Sequence, residues 1–175
     1  FNTFLKSQAN YFLSKGKRVH IACSDTENLS FKKKNSSKIS FPTNHIQIIN
    51  IFKYFKIYFE IKKLVKKKKS SIFYIHTPIA SHIFRFFTFF ENLNLVYFVH
   101  GFRFSSNSNF FKNFFFRLIE KFLSIKTNII ITINNEDYKY TKDHLIRKNL
   151  AFKKNGVGLN VIKKKKKIKN KKKIR

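Results

Sequence analysis

The chain has 175 residues, a length usual for one domain, and its 43% hydrophobic content is enough to bury a core and too high for a disordered chain. Its formal charge is +30, from 38 Lys and Arg against 8 Asp and Glu. Most of that charge is Lys rather than Arg, the preferred fork for phosphates and base edges. Lys also rises together with Phe, Ile and Asn while Gly, Ala, Pro and Trp stay scarce, the pattern of an A- and T-rich coding sequence. The charge is therefore read as evidence about association, not fold, and it does not by itself call for a nucleic-acid partner.

Phe1 opens the chain and Met is absent from it, so the natural start is expected to be missing or processed, together with a strand that would precede Phe1. Thr3 to Ser14 has helical period, with Phe4, Tyr11 and Phe12 on one face and Gly16 as its stop. Val19 to Ala22 is a first β-branched run, ending beside Cys23. As the lone cysteine, Cys23 excludes an internal disulfide, fits a cytosolic chain and reads as a small buried residue. Phe31 to Ser40 is rich in Lys, Ser and Asn and reads as a surface loop.

Ile46 to Ile49 reads as the second strand and Ile51 to Lys67 as an amphipathic helix. Ile72 to Ile75 is the third strand, followed by Pro78 and a helix over His82 to Asn92. Leu95 to Val99 is the fourth strand, Phe110 to Leu123 a helix, and Ile129 to Ile133 the fifth strand. Asn135 to Leu145 is a last helix, whose opening acids Glu136 and Asp137 suit the helix dipole. Asn160 to Arg175 is nearly all Lys and reads as a solvated tail. No stretch reaches the roughly 18 uninterrupted apolar residues of a spanning helix, and the most apolar one, Ile83 to Phe90, carries Arg85. Strand–helix alternation at this spacing implies an α/β fold: a Rossmann-like parallel sheet with helices on both faces.

In such a sheet ligands gather at the carboxyl ends of the strands. The segments there are His76-Thr77-Pro78, His100-Gly101-Phe102 and Asn134-Asn135-Glu136-Asp137, with Gly156 and Gly158 further on. His100 carries most weight: a histidine at a strand end can donate to a phosphate or sugar hydroxyl, and Gly101 lets the backbone approach a ligand. The alternative is a histidine that caps a loop. His76 and Thr77 offer hydroxyl-binding groups at the same edge, or simply form the turn that Pro78 begins. Glu136 is either a substrate contact or a helix N-terminal acid. Metal-ligand spacing, G-x-S-x-G and G-x-x-x-x-G-K are all absent from the sequence, which leaves metalloenzyme, hydrolase and P-loop chemistries unsupported.

Four strings in order, IHTPIASHIFRFF, NLVYFVHGFRF, FFFRLIEKFLSIKTNIIITINNEDY and KNGVGLNV, resemble the N-terminal half of family-4 glycosyltransferases of capsule and exopolysaccharide synthesis. FLKSQANYFLSKGKRVHIACS resembles the first helix and second strand of that group. The resemblance implies one half of a GT-B fold, with residues 1–159 as the acceptor-side domain and 160–175 as a linker toward a donor-binding domain. It implies a retaining transfer from a nucleotide sugar to a lipid-linked or saccharide acceptor, without a metal or other cofactor. His100 would act as the catalytic contact to the donor, with His76, Thr77, Gly101 and Glu136 in substrate binding. Asn160 stands where the group carries an acid. The half alone is expected to be inactive.

Two other readings stand beside this one. Phe110, Lys112, Phe114 and Arg117 mix aromatics with bases as interfacial helices do, so an anionic membrane surface is an expected partner and the inner face of the cell membrane the expected location. A Lys-rich nucleic-acid binder, held by counterion release, is the other.

Overall fold

In a computed structural model, residues 5–24, 35–42, 51–104, 109–145 and 151–153 are described. In chain order the elements are α1 (Lys6–Ser14), β1 (Ile21–Cys23), β2 (Ser36–Lys38), α2 (Ile51–Lys68), β3 (Ile72–His76) and α3 (Pro78–Phe87). They continue with β4 (Asn94–Val99), α4 (Phe110–Ser124), β5 (Ile129–Thr132), α5 (Asn135–His144) and β6 (Ala151–Lys153).

Among the described residues every strand pairing is parallel, in a four-stranded sheet of order β3-β4-β5-β6 and a two-stranded sheet of β1 and β2. One hydrophobic cluster joins the two sheets, because Ile39, just after β2, packs in the same core as Ile75 and Leu95. That core is closed by Ile57, Ile61 and Val65, four residues apart and therefore on one face of α2. Burying each such side chain contributes about 1.5–3 kcal/mol.

Side chains alternate across a strand, so each sheet face has its own helices. Phe12 of α1 meets Tyr74 with ring centroids 5.2 Å apart, on the face that also carries Ile72 and His76. On the opposite face α2 and α3 pack at Ile75 and Leu95, and α5 brings Tyr140 to Tyr97, Val99 and Ile130. The chain is thus an α/β protein with a parallel sheet flanked by helices on both faces.

Four sequence expectations need correction. The segment Phe31 to Ser40 is not all loop: Ser36–Lys38 forms β2, paired in register with Ile21–Cys23. Its Ser and Lys side chains carry no strand signal, and the ladder is made by backbone groups that any residue supplies. The first strand runs later than Val19 to Ala22, because Val19 and His20 precede the ladder. The helix read as His82 to Asn92 is α3, Pro78–Phe87. Proline presets φ for a first helical position, so the helix begins at Pro78 itself. Among the described residues the strands form two hydrogen-bonded sheets rather than one, and Ala151–Lys153 adds a strand, β6, that three residues were too few to announce. The run Ile46 to Ile49, the tail 160–175, Gly156 and Gly158 lie outside the described residues.

A buried charge cluster ties α3 and α4 to β4. Arg85 Nη2 donates to Glu120 Oε2 at 2.8 Å, and His82 Nε2 donates to Glu120 Oε1 at 2.8 Å. The Tyr97 hydroxyl donates to Glu120 Oε1 at 3.3 Å, and the Arg85 guanidinium lies 4.2 Å over the Tyr97 ring. Burial pushes the Glu120 carboxyl upward, but the Arg85 charge and the His82 hydrogen bond overrule it and hold the pKa at about 2. The Tyr97 phenol is raised well above 10, by burial first and then by the Glu120 charge.

Candidate functional site

β3 and β4 are neighbours in the parallel sheet, with His76 in register with Phe98. Both strands therefore end at the same edge, and the residues that close them are His76 and His100. His76 Nδ1 and His100 Nε2 lie 3.3 Å apart, close enough for one ring to donate a proton to the other. Phe98 floors the pair, its ring 5.3 Å from that of His76 and 5.0 Å from that of His100. Burial, and then the nearby His100, lower the His76 pKa to about 4; burial also lowers that of His100. Both rings are consequently neutral at pH 7, each with one N–H donor and one bare nitrogen.

The backbone on either side of the pair is unusual. Thr77, which caps α3 without a side-chain hydrogen bond, has φ +65°. A β-branched residue there is strained, and such strain gathers at ligand sites. Gly101 has φ +138°, a conformation open to glycine, and an added Cβ would meet nothing within 4 Å. The demand for glycine at 101 is one of backbone shape rather than space.

The loop after Gly101 is locked from behind. The Phe102 amide donates to the Asp137 carboxylate. Asp137 is also held by Asn134, whose Oδ1 accepts from the Asp137 amide at 2.8 Å while its Nδ2 donates to the carboxylate at 2.7 Å. This reciprocal cap fixes the first turn of α5. Burial raises the Asp137 pKa, against those hydrogen bonds. Phe104 packs against Phe102 and Tyr140, and the Arg117 guanidinium lies over the rings of Phe104 and Tyr140 at 5.3 and 5.5 Å.

The structure thus brings His76, Thr77, His100 and Gly101 to one edge. Glu136 is exposed in the first turn of α5, beside the buried Asp137. On α4, Phe110, Lys112, Phe114 and Arg117 are all exposed, and the Arg117 guanidinium reaches over the aromatic cluster behind the loop. Sequence reasoning missed Asp137 as the anchor of that loop, and the signal for it was the N-x-x-D spacing of Asn134 and Asp137. It also missed Glu120, a lone acid four residues after the buried Phe116 on the inner face of α4.

A cavity of about 550 Å³ opens at the opposite, amino-end edge, lined by His20, Ser37, Glu60, Lys67 and Lys68 among others. Its position is away from the chemistry of the histidine pair. Among the described residues no group of three or more His, Cys, Asp or Glu could hold a metal, and no helix is long and apolar enough to cross a membrane.

Residues 1–134 match the protein family described as Glycosyl transferase 4-like. The match covers His76, Thr77, His100 and Gly101 and ends at Asn134, before Glu136. Among curated proteins no match was found.

Proposed function

The chain belongs to the glycosyl transferase 4-like family, and from that premise we propose that it forms the acceptor side of an enzyme that moves a hexosyl group from a nucleotide sugar to a lipid-linked or saccharide acceptor. The acceptor belongs to cell-surface polysaccharide synthesis of the capsule or exopolysaccharide kind, and the enzyme works at the inner face of the cell membrane. The observation that carries this reading is the neutral His76–His100 pair at the carboxyl edge of β3 and β4.

In the proposed step the acceptor oxygen bonds to the anomeric carbon as the bond from that carbon to the diphosphate oxygen breaks. The bonding electrons leave with the diphosphate, the acceptor hydroxyl proton passes to it, and the anomeric configuration is kept. Negative charge grows on the departing phosphate, where a fixed donor is most useful. A neutral imidazole of His100 donates its N–H there. His76 holds the His100 ring by the shared hydrogen bond, and Thr77 and Gly101 shape the backbone around them. No residue in this scheme needs a metal. A donor-binding second domain completes the site, so the chain alone is proposed to be inactive.

The test is sugar transfer by the natural gene product from a panel of nucleotide sugars to membrane-lipid and oligosaccharide acceptors, with and without a chelator. Labelled product that survives chelation supports the reading. Hydrolysis or binding of unrelated substrates with no transfer from any nucleotide sugar would overturn it.

A further inference from the structure

The cavity of about 550 Å³ at the amino-end edge takes no part in the transfer scheme, and its lining is one-sided in charge. Glu60, Lys63, Leu64, Lys67 and Lys68 recur at helical spacing, so a single stripe of α2 forms one wall. β2 forms the facing wall with Ser37 and Lys38. His20, just before β1, is tied to that wall, its Nε2 hydrogen-bonded to the Ser37 hydroxyl at 2.8 Å. Buried Ile39 and half-buried Leu64 close the back of the cavity against the hydrophobic core.

Among the described residues of this lining, four lysines meet one carboxylate, Glu60. The helix dipole favours lysines in the last turn of α2, where Lys67 and Lys68 stand. It does not account for Lys63, a turn earlier, or for Lys38 on the facing strand. Like charges gathered at a recess with an apolar back repel one another, and an anion between them relieves that repulsion. The field reaches into the wall: after burial, the Lys68 charge is the second cause that lowers the His20 pKa below 6.5. Glu60 sets a further requirement. Its Oε2 is buried and finds no hydrogen-bond partner among the described residues, so whatever fills the cavity must bring a donor. A phosphate is chiefly an acceptor, whereas the hydroxyl of a sugar or polyol donates.

We infer that this cavity binds a phosphorylated polyol of about the size of a hexose phosphate, with Lys63, Lys67 and Lys68 at the phosphate and a ligand hydroxyl donating to Glu60. The volume of about 550 Å³ suits such a molecule, since small-molecule sites run from roughly 300 to 1,000 Å³. The cavity lies at the sheet edge opposite His76 and His100. It is therefore a second site, and it does not rest on the proposed transfer.

The experiment is calorimetric titration of the natural gene product with glucose-6-phosphate, glucose and inorganic phosphate, with the histidine resonances followed by NMR in each case. Two variants accompany it, the double change Lys67→Ala, Lys68→Ala and the single change Glu60→Ala, each checked by its thermal midpoint. Glucose-6-phosphate is expected to bind roughly tenfold tighter than inorganic phosphate, the worth of one hydrogen bond to a charged group, and glucose not measurably. Binding should raise the His20 pKa, because a nearby phosphate favours the charged ring, and leave His76 and His100 unmoved. The double lysine variant should lose roughly tenfold or more in affinity, and Glu60→Ala should bind the two anions equally. Equal binding of both anions by the parent would mean that surface charge alone holds them, and it would overturn the inference. Undiminished binding by the lysine variant, or a response at His76 and His100 in place of His20, would overturn it as well. The anion preference and the His20 response are read on the parent protein, so a variant that unfolds does not shield the inference.

Discussion

His76 and His100 face each other ring to ring across two neighbouring parallel strands, Nδ1 to Nε2 at 3.3 Å. They lie 24 positions apart in sequence, with α3 between them. Only a parallel pairing of β3 with β4 brings two strand-terminal histidines to one edge. Since burial disfavours the charged form of both, the pair is a neutral donor–acceptor unit rather than two cations.

That relationship fixes a titration. The His76 ring is expected to stay neutral from pH 7.5 down to about pH 5 and to take up its proton near pH 4. Imidazole resonances followed by NMR against pH measure it. The unfolded chain protonates His76 near 6.5, so between about 6.5 and 4 it binds a proton that the folded chain refuses. Stability therefore falls as pH falls through that window. A His76 midpoint at an ordinary 6.5 would contradict the buried pairing.

Glu120 sets a second, more acidic window. Its folded pKa is held at about 2 against 4.5 unperturbed, so the stability it contributes is present above 4.5 and is lost as pH falls toward 2. Glu120→Gln removes the charge opposite the fully buried Arg85. A loss of about 3–5 kcal/mol is expected, the usual cost of leaving a buried ion unpaired. Chemical denaturation of parent and variant at pH 7 gives the number, and a loss below about 1 kcal/mol, the range of an exposed pair, would show that the cluster is not sealed.

Gly101→Ala separates backbone shape from bulk. The added methyl meets open space, but φ +138° is unfavourable for alanine. The expected cost is about 1–3 kcal/mol, taken as lost stability or as a shifted loop. If the loop shifts, His100 moves with it, and the His76 titration returns toward 6.5. A variant with unchanged stability and unchanged titration would show that the loop does not depend on glycine.

The strands that place the site were legible because they are short runs of β-branched and aromatic residues. Ile72 to Ile75, Leu95 to Val99 and Ile129 to Thr132 form β3, β4 and β5. β2 was not legible, because Ser36, Ser37 and Lys38 join the ladder through backbone groups alone. Each histidine could be placed at a strand end, but their contact depends on register, which no local pattern encodes. Arg85 stood out in the sequence as a charge in an apolar run. Its partner Glu120 lies 35 residues away, and only the packing of α3 on α4 joins them. The roles of His100, Gly101 and Glu136 in substrate binding came from resemblance and motif rather than from packing.

The central claim is that His100 donates to the departing diphosphate, and the most direct measurement is the sugar-transfer rate of the natural gene product carrying His100→Ala, beside its thermal midpoint. A hydrogen bond to a charged group is worth about 1.5–3 kcal/mol, so the rate should fall roughly ten- to a hundredfold. The midpoint should change little, because the ring stands at the sheet edge and is only partly buried. Full activity in the variant, or a loss of activity matched by unfolding, would contradict the claim and make His100 a structural residue.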